Sequence, residues 1–138
     1  MVAALQAIEA LVEGSKTPPR VLICGPKKTG KSSLARRVIN GLLAHHDSVT
    51  LLEADCGQPQ FGPPGFVSMT TVCEPLLLSP HCLLRQPDES MSIGDVSAES
   101  NPITYINTIR KLLKRHYGGP DSGVLRSDPI EKHDNVCC

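Results

Sequence analysis

Two glycines, a lysine and a hydroxyl stand at the spacing Gly-x-x-x-x-Gly-Lys-Ser in Gly25-Pro26-Lys27-Lys28-Thr29-Gly30-Lys31-Ser32. This spacing is that of a P-loop, in which glycines let the main chain wrap close to an anion and successive N–H groups point at its phosphates. Lys31 then contributes a compact cation between the β- and γ-phosphates, and Ser32 offers its hydroxyl to Mg²⁺. The candidate nucleotide-binding residues are Gly25, Pro26, Lys27, Lys28, Thr29, Gly30, Lys31, Ser32 and Ser33. The ligand expected is a nucleoside triphosphate, ATP in this reading, with Mg²⁺. Asp55 is the second candidate, as a Mg²⁺ ligand acting through water, as the base that takes the proton of an attacking hydroxyl, or as a residue that only caps its own turn. Glu53, two residues back on the same strand face, either shares that site or lies beneath it.

A P-loop must sit between a strand and a helix, so the flanking segments decide whether the spacing means anything. Val21-Leu22-Ile23-Cys24 is short, aliphatic and stopped by Gly25-Pro26, which predicts a buried strand. From Lys31 to Leu43, Leu34, Val38 and Leu42 recur at helical spacing with Arg36, Arg37 and Asn40 between them, so a helix begins inside the loop. Val49-Thr50-Leu51-Leu52-Glu53-Ala54-Asp55 reads as a second strand ending in a carboxylate. Together they predict an α/β fold with a P-loop βαβ unit and a parallel sheet, the carboxyl ends of its strands meeting at the ligand crevice.

Elsewhere the pattern is plainer. Leu5, Ile8, Leu11 and Val12 mark an amphipathic N-terminal helix, assigned to packing within a segment 1–17. Gln58 to Gly65 holds three Pro and three Gly counting from Gly57, which excludes a regular element. Leu76–Leu78 and Cys82–Leu84, cut by Pro80 and Pro87, suit edge strands or extended connections. Ser100 or Asn101 should cap a last helix with Pro102 in its first turn and an apolar stripe of Ile103, Ile106, Ile109, Leu112 and Leu113, ending near Tyr117-Gly118-Gly119. Residues 118–138 have no periodicity and are expected to be disordered.

Composition narrows the function classes. Fourteen Lys and Arg balance fourteen Asp and Glu, so no global field draws polyanions, and contact with nucleic acid must come from local clusters. Two clusters qualify: Lys27 with Lys28, and Arg110, Lys111, Lys114 and Arg115 on the last helix, the latter read first as a solvated face. Six cysteines without paired CxxC spacing, and a start lacking the basic-then-apolar pattern of a secretory signal, suggest a reducing intracellular compartment. No apolar run approaches the roughly 20 residues that cross a bilayer, so no membrane partner is expected. His45-His46 and His81-Cys82 lack further ligands at metal spacing.

The segments Cys24 to Ser33, Leu52 to Gly65 (Leu-Glu-Ala-Asp-Cys-Gly-Gln-Pro-Gln-Phe-Gly-Pro-Pro-Gly) and Ile93 to Pro102 resemble the nucleolar polynucleotide 5′-hydroxyl kinases, relatives of the Clp-type RNA kinases. The resemblance covers roughly residues 18 to 117, a partial P-loop kinase domain. It implies transfer of the ATP γ-phosphate to an RNA 5′-hydroxyl end during rRNA processing, in the nucleus and nucleolus, alongside a partner endoribonuclease. Lys31, Ser32 and Asp55 match the family's phosphate, Mg²⁺ and base positions. Its Thr-Gly-Trp clasp, its Arg-bearing lid and its later strands do not appear in this sequence, which has no Trp. The expectation is therefore a kinase weakened or inactive in this truncated form, or a non-catalytic fragment that binds nucleotide or competes for a partner of the longer enzyme.

Overall fold

The computed structural model describes residues 2–14, 19–77 and 85–118. Their elements run α1 (Val2–Glu13), α2 (Lys31–Leu42), β1 (Val49–Glu53), β2 (Phe66–Val72), β3 (Glu89–Ser92) and α3 (Pro102–Tyr117). The chain divides into two units, residues 1–49 with 72–77, and residues 50–71 with 78–138. Residues 119–138, all of the tail expected to be disordered except Gly118, and Leu78 to Leu84 lie outside the described residues.

In the first unit α1 packs on α2, and Gly41 lies where Leu5 and Glu9 of α1 meet α2. A Cβ there would stand 2.8 Å from Glu9 Oε1 and 3.1 Å from Leu5 Cδ1, so the ends of these two side chains would have to shift to admit one. Val38, Ile39, Val72 and Leu76 are the buried apolar residues among the described residues of this unit. Asn40 ties the 72–77 segment to α2, its amide oxygen accepting from Leu76 N at 2.7 Å and its amide nitrogen donating to Leu76 O at 3.4 Å. One side chain thus satisfies both polar groups of a buried residue's backbone. Leu76 and Leu77 form an extended connection, not a strand.

In the second unit a three-stranded sheet has the order β1-β2-β3. β2 and β3 are antiparallel, with Phe66 opposite Ser92 and Met69 opposite Glu89. Val67 and Met69 from β2, Ile93, Cys56 and Leu112 of α3 make the core, with Leu52, Met91, Tyr105 and Ile109 packed against it. β3 shows the alternation of an edge strand, Glu89 and Met91 half-buried and Ser90 and Ser92 exposed. α3 starts where the sequence places it: Asn101 Oδ1 accepts from Thr104 N at 3.1 Å, Pro102 opens the first turn, and Gly118 with φ 70° closes the helix.

Two expectations need correction. Val21 to Cys24 is not a strand: Val21 is 44% and Leu22 86% exposed, and the segment pairs with no other strand among the described residues. The expected βαβ crossover and parallel sheet therefore do not form, and the defined strand pairing β2–β3 is antiparallel. A parallel strand is buried when other elements cover both of its faces, and Val21 and Leu22 have no such cover. The stripe on α3 is also displaced. Ile103 is 74% and Ile106 48% exposed, whereas Thr108 and Leu112 are buried. The helix presents Tyr105, Thr108, Ile109 and Leu112 to the sheet, with a threonine in the buried row.

Candidate nucleotide and carboxylate sites

The P-loop lies wholly in the first unit. Gly30 has φ 84°, in the left-handed region, and immediately precedes α2 as its N-cap, with no side chain capping the helix. Lys28, at φ 63°, is the only non-glycine residue with positive φ among the described residues. Left-handed residues alternating with right-handed ones turn successive amides to one side, the arrangement of an anion-binding nest. Strain at a lysine is tolerated where the surrounding loop enforces it.

Main-chain donors are plentiful here. Leu34 N donates to Gly30 O at 2.9 Å as the first helical bond. Before it, Lys27 and Lys28 form a turn that folds the chain back over Pro26 O, and Gly30 through Ser33 make no main-chain hydrogen bond to a protein acceptor among the described residues. α3 shows the contrast, since Asn101 caps it; α2 has neither a capping side chain nor an acidic residue in its first turn. Its exposed orphan amides and helix dipole are left facing solvent, which suits an anion.

Lys31 folds back over the loop. Its Nζ donates to Pro26 O at 2.7 Å, and Thr29 Oγ1 donates to the same carbonyl at 2.8 Å. One carbonyl thereby closes the loop from both sides and fixes the ammonium across it. Sequence spacing assigned Lys31 to phosphate but gave no sign of Pro26 O as its resting partner. Ser32 and Ser33 are exposed on the first turn of α2. The amides of the loop and of the first turn of α2, one ammonium and an exposed hydroxyl form a donor set that fits a triphosphate with Mg²⁺.

The second unit holds the carboxylates. Asp55 is exposed just beyond β1, and its Oδ1 accepts from Gly57 N at 3.0 Å and Gln58 N at 3.1 Å. This is an Asx turn, so the turn-capping role is present. Oδ2 has no partner among the described residues and stays open to a cation or proton. Beside it Tyr105 Oη donates to Ala54 O at 2.9 Å, tying α3 to the end of β1.

Glu53 lies beneath this turn. It is 8% exposed, and its carboxylate accepts from Gln60 N, from Phe61 N at 3.2 Å and from Ser68 Oγ at 3.5 Å. All three bonds serve the Pro- and Gly-rich loop or β2. Phe61, 2% exposed, is the loop's apolar plug, and Gly65 N closes its neck on Cys56 O at 2.8 Å. The stiff loop expected after Asp55 is therefore clamped from within by a carboxylate, a role that two-residue spacing on a strand cannot reveal.

Burial holds the Glu53 carboxyl above the usual glutamate range, outweighing the hydrogen bonds from Gln60, Phe61 and Ser68 that favour the anion. A carboxyl raised in the folded state binds its proton more tightly there than when unfolded. Its contribution to stability is thus complete below the unfolded value and is lost as pH rises through the folded one. Urea unfolding from about pH 4 to about pH 7 should show that decline. Glu53→Gln should flatten it, and an unchanged slope in the variant would remove Glu53 as its source.

His45 and His46 are exposed, and no group of three or more metal-ligating side chains occurs among the described residues. His81-Cys82 lies outside them. No described helix is long and apolar enough to cross a membrane.

The sequence family described as the P-loop of mRNA cleavage and polyadenylation factor CLP1 matches residues 25–118, a span that takes in the loop, the Glu53–Asp55 turn and α3. The chain belongs to the CLP1 P-loop family. Within it, similarity to named proteins is substantial. The polynucleotide 5′-hydroxyl-kinase NOL9 of Danio rerio is 41% identical over 100 residues, covering 72% of this chain and 14% of that protein. The Homo sapiens protein of the same name is 37% identical over 116 residues, covering 81% of this chain and 16% of the relative. The polynucleotide 5′-hydroxyl-kinase grc3 of Schizosaccharomyces pombe is 33% identical over 105 residues, covering 71% and 14%. This CLP1-family chain thus spans less than a third of the length of these relatives.

Proposed function

We propose that this chain is an ATP-dependent polynucleotide kinase unit that directs the γ-phosphate to an RNA 5′-hydroxyl. The observation that carries the reading is the loop from Gly25 to Ser33, with its left-handed Lys28 and Gly30 and with Lys31 closed over it, in a chain whose relatives are named polynucleotide 5′-hydroxyl-kinases. Lys27 to Ser33 would hold the triphosphate through main-chain N–H groups, with Lys31 offsetting charge that grows on the transferring group. To do so Lys31 exchanges Pro26 O for phosphate oxygen. Ser32 would hold Mg²⁺, which supplies charge neutralisation between phosphates when bound. Asp55 Oδ2 would accept the proton of the attacking hydroxyl or bind the metal through water, while Oδ1 keeps the turn in shape. A role in rRNA processing, a nucleolar setting and a partner endoribonuclease belong to this proposal on the strength of the resemblance.

A second reading is favoured by the Val21–Cys24 segment that leads into the loop, where Val21 and Leu22 are exposed and no strand pairing forms among the described residues. A loop without a ladder behind it can bind nucleotide while placing the phosphate too loosely for transfer, since positioning carries most of phosphoryl-transfer catalysis. Incubation with γ-labelled ATP, Mg²⁺ and a 5′-hydroxyl RNA oligonucleotide decides between them. Label on the RNA that disappears in Lys31→Ala establishes the kinase. Binding of ATP without label transfer establishes the non-catalytic form, and neither binding nor transfer rejects both.

A further inference from the structure

α3 carries Arg110, Lys111, Lys114 and Arg115, all exposed, and no acidic residue in its sixteen positions. Among the described residues none of the four has a hydrogen bond or ion pair, in a chain whose total charge is balanced. Solvated helix faces ordinarily intersperse both signs. Attraction to the helix dipole accounts for cations in the last turn, where Lys114, Arg115 and His116 lie, but falls off beyond it. Arg110 and Lys111 sit a full turn earlier and need another reason.

Spacing of i, i+1, i+4 and i+5 puts the four cations on one flank over about 7.5 Å of axis from Arg110 to Arg115. The opposite side of the helix is spoken for by Tyr105, Thr108, Ile109 and Leu112. Ile106 and Tyr117, 48% and 43% exposed, border the flank on the solvent side. Cations beside an exposed ring are the ingredients of a surface that tracks a single strand's phosphates and receives a base. Tyr105 anchors the helix to the carbonyl before Asp55, and the strip begins about 7.5 Å further along the axis.

We propose that Arg110, Lys111, Lys114 and Arg115 form a contact strip for the phosphate backbone of single-stranded nucleic acid, separate from the triphosphate loop. It rests on the kinase reading only for taking that strand to be the substrate. The strip reads charge and not sequence, so RNA and DNA of equal length should bind it alike.

The test is fluorescence anisotropy of a labelled 5′-hydroxyl RNA oligonucleotide across a salt series, with the full chain and without ATP. Four phosphate contacts on a single strand give a salt slope of about −2.8. Replacing all four cations by glutamine should remove about that much slope and weaken binding at least about tenfold at low salt. MgATP binding should persist in that variant, and RNA binding should persist in Lys31→Ala, so loss of the kinase reading and loss of the strip are told apart. Arg110→Lys with Arg115→Lys should keep most of the slope, confirming charge as the cause. Unchanged slope and affinity in the folded glutamine variant overturn the proposal. So does a loss confined to binding of phosphatidylserine vesicles, which would assign the strip to an anionic membrane.

Discussion

Replacing Lys31 by alanine is expected to weaken MgATP binding by about 10- to 100-fold, the worth of roughly 1.5–3 kcal/mol for a hydrogen bond from a charged donor. Any phosphoryl transfer should fall by about 10²- to 10³-fold, the usual cost of one charge-stabilising donor. The substitution is clean because Lys31 is the first residue of α2 and alanine is the strongest helix former. Thr29 Oγ1 still donates to Pro26 O, so the loop keeps one of its two closures. Far-UV circular dichroism should be unchanged. Lys31→Arg should not rescue, since a planar guanidinium cannot replace a compact ammonium in a loop closed at 2.7 Å. Equal affinity in wild type and Lys31→Ala would mean that the ammonium stays on the Pro26 carbonyl and never meets phosphate.

Asp55→Asn should lower transfer by about 10²- to 10⁴-fold, the range for a lost general base, while leaving the fold intact. Asparagine retains an oxygen that accepts from Gly57 N and Gln58 N, at 3.0 and 3.1 Å in the native turn. Stability should therefore change by no more than about 0.5 kcal/mol, and binding of ATP without metal should not change. Asp55→Ala, which deletes the turn's acceptor as well, should lose both transfer and stability, by about 1–3 kcal/mol for the two donors left unpaired. Separation of the two variants is the point. Full transfer by Asp55→Asn would reduce Asp55 to a turn cap.

Local signals were the legible ones. The Asn101 cap, Pro102 and the positive-φ Gly118 mark the ends of α3 through chemistry within a few residues, and Gly30 preceding Lys31 marks the start of α2. β2 escaped the reading because Ser68, Thr70 and Thr71 dilute its hydrophobicity, although Ser68 and Thr70 are each 2% exposed. Its β-branched run of Val67, Thr70, Thr71 and Val72 was the available sign. β3, with one apolar residue in Glu89–Ser92, offered almost none. Val21–Cys24 failed in the other direction: its residues suit a buried strand, but pairing is a property of neighbours distant in sequence. The same limit applies to the candidate site. Spacing picked out Gly25 to Ser33 and Asp55, whereas the Glu53 clamp on Gln60 and Phe61 depends on how the loop folds back.

Titration of isotope-labelled protein with MgATP, followed by backbone amide resonances, tests the loop most directly. Lys27 through Ser33 should shift together and saturably as their N–H groups acquire phosphate acceptors, with Leu34, already bonded to Gly30 O, moving much less. Folded protein in which those seven amides stay where they were at millimolar MgATP would contradict the assignment of this turn as a triphosphate site.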